Sequence, residues 1–321
     1  MSKIRKALNI LEESQKSAPP RPARPPAETV AAKTSSSAPP AERADVRRGN
    51  EVSAPAPVES IPEFTPSRSV EVPVAKLQAS GLLPRGEDLA IISQQFRRIK
   101  RPIIQWGFEA DLATGRNPNV IMVASALPGA GKTFCSFNLA ISISSERDHG
   151  AVLVDADVLK PGISRELGLQ ENVGLIDYLM DPTIRLEDIL VQTDLNDLVV
   201  IPAGQRHPEA TELLASKRMK DLVALLSVRY GDRAVVFDMP PLLLTNEAQV
   251  LASQAGQIVM VIEARVTSQE SALRALAMLD RDKPINAILN KSRSALNGGY
   301  QGDDYGYYSY SAGGEGVDNK G

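Results

Sequence analysis

A glycine-rich turn between an apolar run and a helical run constrains the fold of this chain more than any other feature. The apolar run is NVIMVA at 119–124, the turn is ALPGAGKTF at 126–134, and helix-type spacing follows. A strand, a glycine-rich turn and a helix start are the context of a phosphate-binding loop, G-x-x-x-x-G-K-[S/T]. Ala126 replaces the first glycine of that pattern, and a glycine turn with a chance GKT is the alternative interpretation.

The residue types of this turn suit a nucleotide. Glycines let backbone N–H groups converge on phosphate oxygens without a Cβ in the way, and the helix N-terminus adds its dipole. The lysine places a cation on the β- and γ-phosphates, and the threonine hydroxyl can bind Mg²⁺. The predicted nucleotide-binding residues of the turn are Pro128, Gly129, Ala130, Gly131, Lys132, Thr133 and Phe134.

Short apolar runs rich in Val and Ile alternate with helical stretches along the same region. This alternation predicts an α/β fold with a mostly parallel sheet and helices on both faces. Ligands of such sheets bind at the carboxyl ends of the strands, where the turn lies. The predicted strands are 120–124, 151–155, 198–202, 234–238, 257–263 and 287–290.

Composition divides the 321 residues into four parts. Residues 1–15 predict an amphipathic leader helix that either buries its apolar face against a partner or frays in water. Residues 16–75, with 12 of the 23 prolines, predict a disordered linker. We expect the folded nucleotide-binding domain at 76–294 and a flexible tail at 295–321. From residue 87 the sequence predicts a long helix that stops or kinks at Pro102.

Bulk composition excludes several functions. The net charge is -3, which gives no basic bias toward nucleic acid. One cysteine allows no internal disulfide, and two histidines disfavour a histidine-built metal site or a Ser/His/Asp triad. No apolar run approaches the ~20 residues of a membrane helix.

Carboxylates end two of the predicted strands. Asp155 and Asp157 close VLVDAD, and Asp238 closes AVVFD before two prolines. Beside a phosphate loop these residues are candidate metal ligands and bases, because a hard cation prefers oxygen ligands. The alternative interpretations are an ordinary strand-end turn for the first pair and a capping residue for Asp238.

The tail is glycine-rich yet carries five of the seven tyrosines. Disordered segments are normally poor in aromatic residues. A flexible segment can reach an active site, and closely spaced phenols raise the local concentration of acceptors. The candidate acceptors are Tyr300, Tyr305, Tyr307, Tyr308 and Tyr310; a sticky aromatic linker is the alternative.

Together these motifs resemble the bacterial tyrosine kinases (BY-kinases) over roughly residues 80–310. The family combines P-G-x-G-K-[S/T], φφφ-D-x-D-x-R, φφφ-D-x-P and a C-terminal tyrosine cluster, and this chain has PGAGKT, VLVDADVL, VVFDMPP and the tail. GLIDYL at 174–179 and IPAG at 201–204 are similar to further family segments. The leader MSKIRKAL looks like that of autokinases from exopolysaccharide loci of the exosortase type.

Three positions depart from the family pattern. Leu159, followed by Lys160, stands where the second Walker motif has Arg, and lysine cannot make the bidentate contact of arginine. The oligomerisation motif E-x-x-R-x-x-R is Gln94, Arg97 and Lys100 here, which weakens the expectation of a ring. Phe134 follows the loop where a small residue is common.

The resemblance implies tyrosine autophosphorylation with ATP and Mg²⁺ as cofactors. A phenol has a pKa of about 10, so a carboxylate near the acceptor helps to take its proton. We expect Asp155 to be that base and Lys132 to neutralise the phosphates. Thr133, Asp157 and Asp238 would hold Mg²⁺, directly or through water, although the sequence does not separate the carboxylate roles.

The resemblance also implies an adenine contact and protein partners. Asn290, which ends NAILN, matches an asparagine that meets the adenine in related folds. The expected activator is a membrane protein that determines polysaccharide chain length, with self-association and a cognate tyrosine phosphatase as further partners. The kinase would then be cytoplasmic, recruited to the inner face of the membrane through the leader helix or residues 76–105.

Two rival functions share these motifs. A Min/Par-type ATPase has an extra lysine in its loop, at the position that Leu127 occupies here, and has no use for five tail tyrosines. A nucleotide-binding scaffold without kinase activity agrees with Leu159 and with the weakened motif at 94–100.

Overall fold

An eight-stranded sheet forms the centre of the computed structural model, which describes residues 66–109, 117–280 and 282–292. The order of the strands in the sheet is β1-β4-β5-β3-β6-β2-β7-β8. The strands are β1 (Arg68–Val70), β2 (Val120–Ser125), β3 (Gly150–Asp155), β4 (Val191–Thr193), β5 (Leu198–Ile201), β6 (Arg233–Asp238), β7 (Gln257–Glu263) and β8 (Ile285–Asn290).

Helices connect these strands. In the described part of the chain they are α1 (Val74–Ser80), α2 (Asp88–Glu109), α3 (Lys132–Ser144), α4 (Gly162–Leu167), α5 (Leu175–Met180), α6 (Leu186–Ile189), α7 (Ala210–Leu214), α8 (Lys217–Arg229), α9 (Asn246–Ala252) and α10 (Gln269–Ala277). None of these helices is both long and apolar enough to cross a membrane.

The predicted mostly parallel sheet is confirmed. All neighbouring strands are parallel except β4 and β5, which are antiparallel. Each of the six predicted strands is present within two residues of its expected bounds. The short strands β1 and β4 were not predicted, and β1 lies inside the segment 16–75 that the sequence assigned to a disordered linker. That part of the prediction is wrong, because β1 pairs with β4 at the sheet edge.

Side chains of one strand alternate between two apolar clusters, one on each face of the sheet. Val120, Met122 and Ala124 of β2 belong to one cluster, together with residues of α5 to α10. Ile121 and Val123 belong to the other, together with residues of α1 to α4. Both faces are therefore covered by helices, as predicted, and the carboxyl ends of the strands remain as the place for a ligand.

Helix α2 continues through Pro102 to Glu109, which excludes the predicted stop, and the alternative, a kink at Pro102, stays a prediction. A proline inside a helix removes one backbone hydrogen bond. Phe96 and Ile103 are buried on the two sides of this position, and their packing offsets that cost. The leader helix 1–15, residues 16–65 of the linker and the tail 295–321 lie outside the described residues.

Candidate active site

The predicted phosphate loop joins β2 to α3 at the carboxyl edge of the sheet. Gly129 has a φ of 84° and Gly131 a φ of 91°, values that glycine adopts without steric cost. A Cβ on Gly131 would lie 2.2 Å from Asn290 Nδ2, whereas one on Gly129 would meet no atom within 4 Å. Gly131 directly precedes the first residue of α3, Lys132, so the loop ends at a helix N-terminus.

Lys132 and Asp157 face each other at the base of the loop. Their Nζ and Oδ2 atoms are 3.6 Å apart, and both residues are buried. Burial raises the pKa of the Asp157 carboxyl, and the neighbouring Lys132 ammonium opposes that rise. The pair therefore brings a cation and a carboxylate together at the end of the phosphate loop, where α3 begins.

Asp155 and Asp238 end the adjacent strands β3 and β6 and are partners in the strand register. Both side chains are fully buried. Asp155 Oδ2 accepts hydrogen bonds from the Ser164 N–H (2.8 Å) and hydroxyl (2.7 Å), and Asp238 Oδ1 accepts one from the Ser136 hydroxyl (3.0 Å). Within the described residues, Asp155 Oδ1 and Asp238 Oδ2 have no hydrogen-bond partner.

Burial controls the protonation of both carboxyls. It raises the pKa of Asp155 to about 7, helped by repulsion from Asp238 and opposed by the Ser164 hydrogen bonds. It raises the pKa of Asp238 to about 6, opposed mainly by Lys132. Each of these two buried acids has one unpaired oxygen, and a nearby cation would stabilise its ionised form.

A cavity of about 530 Å³ opens beside the loop. Lys132, Thr133 and Asp157 line it, whereas Asp155 and Asp238 lie behind its wall. The structure thus places these predicted residues around one cavity, but the three carboxylates differ in how far they lie from its surface. Asp155, the expected base, is the less accessible of the two aspartates of the D-x-D motif.

Residues 80–82, at the end of α1, form another part of the cavity wall. Lys76 of α1 ties this segment to α4, because its Nζ donates to the carbonyls of Arg165 (3.0 Å) and Glu166 (2.8 Å). The contribution of α1 to the cavity wall was not predicted, because α1 begins at Val74, inside the predicted linker 16–75.

Gly162, the first residue of α4, was also missed. A Cβ at this position would lie 3.0 Å from Thr133 Cγ2 and 3.3 Å from Thr133 Oγ1. The absence of a side chain at Gly162 therefore leaves room for the side chain expected to meet Mg²⁺. The sequence shows only that Pro161 and Gly162 follow the D-x-D motif, and the closeness of Gly162 to Thr133 is a tertiary contact.

Two predicted nucleotide contacts have other roles in the structure. Asn290 Nδ2 donates to the Ala130 carbonyl (2.8 Å), so its amide holds the loop, and the contact with adenine stays a prediction. The Phe134 ring packs against Phe96 of α2, with the ring centroids 6.1 Å apart. The Phe134 ring therefore packs within the chain, and a contact of Phe134 with the nucleotide stays a prediction.

The positions that depart from the family pattern differ in exposure. Leu159 is 56% exposed and lines the cavity together with Lys160. In the weakened oligomerisation motif, Gln94 and Arg97 are exposed, but Lys100 is buried. Lys100 donates to the Ser142 carbonyl and pairs with Glu146 at 2.6 Å, so this position is used within the chain.

The chain has clear relatives among curated proteins. Tyrosine-protein kinase YwqD of Bacillus subtilis is 30% identical over 224 residues, which cover 69% of this chain and 88% of YwqD. Tyrosine-protein kinase Wzc of Salmonella typhimurium is 32% identical over 193 residues, which cover 60% of this chain and 26% of Wzc. The chain therefore spans most of YwqD and about a quarter of Wzc.

Solved structures agree with the fold. The VpsO kinase domain is 28% identical and superposes with a TM-score of 0.53, covering 63% of this chain and 97% of that domain. No protein-family model matches the chain.

Proposed function

The chain belongs to the bacterial tyrosine-protein kinases, and from this membership we propose that it transfers the γ-phosphoryl group of ATP to its own C-terminal tyrosines. The observation that carries the proposal is the ion pair of Lys132 and Asp157 at the phosphate loop, beside the buried strand-end acids Asp155 and Asp238. The proposed acceptors, all outside the described residues, are Tyr300, Tyr305, Tyr307, Tyr308 and Tyr310.

ATP fits the loop through its phosphates. The backbone N–H groups from Gly129 to Thr133 would bind the phosphate oxygens, and Lys132 would neutralise their charge. Phosphoryl transfer needs positioning and charge neutralisation more than covalent help. A nucleotide-binding function follows directly from this arrangement.

Mg²⁺ fits the buried carboxylates. Asp155 Oδ1 and Asp238 Oδ2 are unpaired within the described residues, and burial, together with repulsion from Asp238, raises the pKa of Asp155. No three His, Cys, Asp or Glu residues of the described part cluster closely enough to hold a metal by themselves. Thr133 and the nucleotide phosphates would therefore complete the ligand set, with Asp157 beside them. A Mg²⁺ ion bound there would supply positive charge to the transferring phosphoryl group.

Proton removal from the acceptor phenol requires a base that the phenol can reach from the cavity. A general base must come within hydrogen-bond reach of the proton that it takes. Asp157 lines the cavity and Asp155 does not, so we assign the base to Asp157 in place of the expected Asp155. Asp155 would then act with Asp238 on the metal side.

The first test is intact mass after dephosphorylated protein is incubated with Mg·ATP. We expect added phosphoryl groups that map to residues 300–310 and are absent in Lys132→Met, whose activity should fall by about 10³-fold. ATP hydrolysis without phosphotyrosine would contradict the kinase proposal and favour a Min/Par-type ATPase. The Lys132→Met protein should still bind to an anti-tail antibody, which controls for loss of the tail.

A second test separates the two aspartates of the D-x-D motif. Asp157→Asn should lower kcat by about 10²- to 10⁴-fold while the Mg·ADP affinity stays near wild type. Asp155→Asn should weaken Mg²⁺ dependence first, because its proposed role is on the metal side. If Asp155→Asn loses kcat at saturating Mg²⁺ and Asp157→Asn does not, the original assignment of the base to Asp155 is restored.

The proposed partners are supported by family membership and by the leader sequence. We propose activation by the cytosolic segment of a membrane protein that determines polysaccharide chain length, in a system for exopolysaccharide synthesis of the exosortase type. The kinase would be cytoplasmic and recruited to the membrane by that partner, and a cognate phosphatase would reverse the modification. Adding the partner's cytosolic segment to the autophosphorylation assay should raise the rate.

Self-association into a ring would use the motif at 94–100. Gln94 and Arg97 are exposed and free to contact another copy, but Lys100 is engaged with Glu146. In such an assembly the unmodified tail would dock at a neighbouring site, and phosphorylation would add negative charge that repels it. A fully phosphorylated tail that leaves the assembly state unchanged would contradict this role.

A further inference from the structure

The geometry at the end of β8 points to a positioning role for Lys291, and with it Asn290: together they aim backbone N–H groups of the phosphate loop at the nucleotide. The inference rests on the nucleotide site of the proposed function, but not on the transfer of a phosphoryl group. Lys291 belongs to none of the motifs from which the site was predicted.

Two consecutive carbonyls of the loop are held from the same side. Lys291 Nζ donates to the Gly129 carbonyl at 2.7 Å, and Asn290 Nδ2 donates to the Ala130 carbonyl at 2.8 Å. Both donors come from adjacent residues of the last described strand and its end. The loop and β8 are more than 150 residues apart in sequence, so this is a tertiary contact.

Peptide geometry converts these contacts into an orientation of N–H groups. In a trans peptide the C=O and the following N–H point in opposite directions. Because the Gly129 carbonyl points toward Lys291, the Ala130 N–H points away from Lys291. Because the Ala130 carbonyl points toward the Asn290 amide, the Gly131 N–H points away from that amide. Neither N–H donates a hydrogen bond within the described residues, so both are available to an anion.

The donors are themselves held in place. Lys291 Nζ pairs with Glu263 Oε1 at 3.0 Å, at the end of β7. The Lys291 N–H donates to Asn290 Oδ1 at 2.9 Å, and the Ala264 N–H donates to the Asn290 carbonyl at 2.9 Å. Lys291 has a φ of 57°, a left-handed conformation that costs energy in a residue with a Cβ. Several contacts thus keep a strained residue in the position from which it reaches the loop.

A loop with pre-oriented donors binds its ligand more tightly, since less freedom is lost on binding. The replacement Lys291→Met keeps the length of the side chain and removes its charge. Because the lost hydrogen bond is charge-assisted but half-exposed, we expect the Kd for Mg·ADP to rise about 10-fold. Hydrogen exchange of the peptide 126–134 in nucleotide-free protein should also become faster.

Lys217→Met is the matched control. Lys217 also pairs with a carboxylate, Asp221, at 2.7 Å, but it lies on α8 away from the loop. This variant should keep the wild-type Kd and the wild-type exchange of 126–134. Glu263→Gln leaves the Lys291 contact with Gly129 in place and should raise the Kd by only about 2-fold.

Calorimetry with Mg·ADP and exchange mass spectrometry are measured on the full chain. A Kd within 2-fold of wild type in Lys291→Met, or unchanged exchange of 126–134, would overturn the positioning role. Binding of Mg·ADP involves no phosphoryl transfer, so a wild-type protein that binds ADP but makes no phosphotyrosine would contradict the kinase proposal and leave this test intact.

Discussion

Two corners at the carboxyl edge of the sheet both depend on glycine, and they differ in what surrounds that glycine. One is the phosphate loop, where a Cβ on Gly129 would meet nothing within 4 Å. The other joins GLIDYL to IPAG, where a Cβ on Gly174 would lie 2.3 Å from the Pro202 carbonyl oxygen and 2.4 Å from the Gly204 nitrogen. The first glycine borders open space, and the second allows two backbone segments to touch.

Hydrogen bonding separates the two corners further. At the second corner the N–H groups of Leu175 and Ile176 donate to IPAG carbonyls at 2.8 and 3.0 Å, and Asp177 Oδ2 accepts from Gly174 and Gln205 at 2.9 and 3.1 Å. Its donors are satisfied by the chain itself, whereas those of the phosphate loop are left for a ligand. A glycine-rich motif is therefore a binding site only where polar groups remain unpaired.

The largest expected effect is at the closed corner. Gly174→Ala forces a Cβ against the backbone of 202–204, so we expect the free energy of unfolding to fall by about 3 kcal/mol. Chemical denaturation measures this loss. Gly231→Ala is the control, because its Cβ would meet only the Val228 carbonyl oxygen, at 3.7 Å.

This variant also tests whether the closed corner is purely structural. The Kd of the folded Gly174→Ala protein for Mg·ADP should remain within a few-fold of wild type at a temperature below its transition. A large loss of affinity with little loss of stability would mean that the two corners share the ligand.

The next effect concerns pH, which acts on the acids behind the phosphate loop. Asp155 and Asp238 have folded-state pKa values raised from 3.8 to about 7 and about 6. Between about pH 4 and pH 7 the unfolded chain has lost protons that the folded protein still holds, so stability falls as pH rises through this window. We therefore expect the free energy of unfolding to decrease across this window as the two acids ionise.

A bound cation should reverse that trend. Mg·ADP supplies positive charge to the ionised acids, so the rise in Tm that it causes should be larger near pH 8 than near pH 5, at about the same ligand saturation. Asp238→Asn removes one acid and should flatten both profiles. Equal Mg·ADP shifts at the two pH values would mean that these carboxyls do not serve the metal.

Sequence reasoning found the strands that carry strong patterns and missed those fixed by tertiary contacts. The central strands have four to seven residues and are continuous apolar runs. Such runs can be recognised as strands in the sequence alone. Strands β1 (RSV) and β4 (VQT) have three residues each and no such pattern. Their place at the edge depends on mutual pairing and on contacts such as the Val72 N–H donating to Asp194 Oδ1 at 2.9 Å.

The candidate site shows the same division. Lys132, Thr133 and the three aspartates were predicted because motifs at strand ends converge in a parallel sheet. Gly162 and Lys291 could not be found in this way, since their roles depend on which atoms lie within 4 Å after folding. The depth of Asp155 relative to Asp157 is likewise a property of packing, which two residues of the same type in one motif do not reveal.

The smallest expected effect distinguishes the open corner from an ordinary left-handed glycine. Gly129 and Gly168 have φ values of 84° and 76°, and a Cβ on either would meet no atom within 4 Å. Alanine at each position should therefore cost about the same stability, about 1 kcal/mol, because the strain is that of the left-handed backbone alone. Gly168 only ends α4, whereas Gly129 lines the cavity.

Binding should separate the two variants even though stability does not. In Gly129→Ala the loop relieves its strain by leaving the conformation that orients the donors, so the Kd for Mg·ADP should rise by about 5-fold or more. Gly168→Ala should bind as wild type. Equal Kd values for Mg·ADP in the two variants would mean that Gly129 has only a structural role, like Gly168. Recognition of the ligand would then not depend on the conformation of the phosphate loop at Gly129.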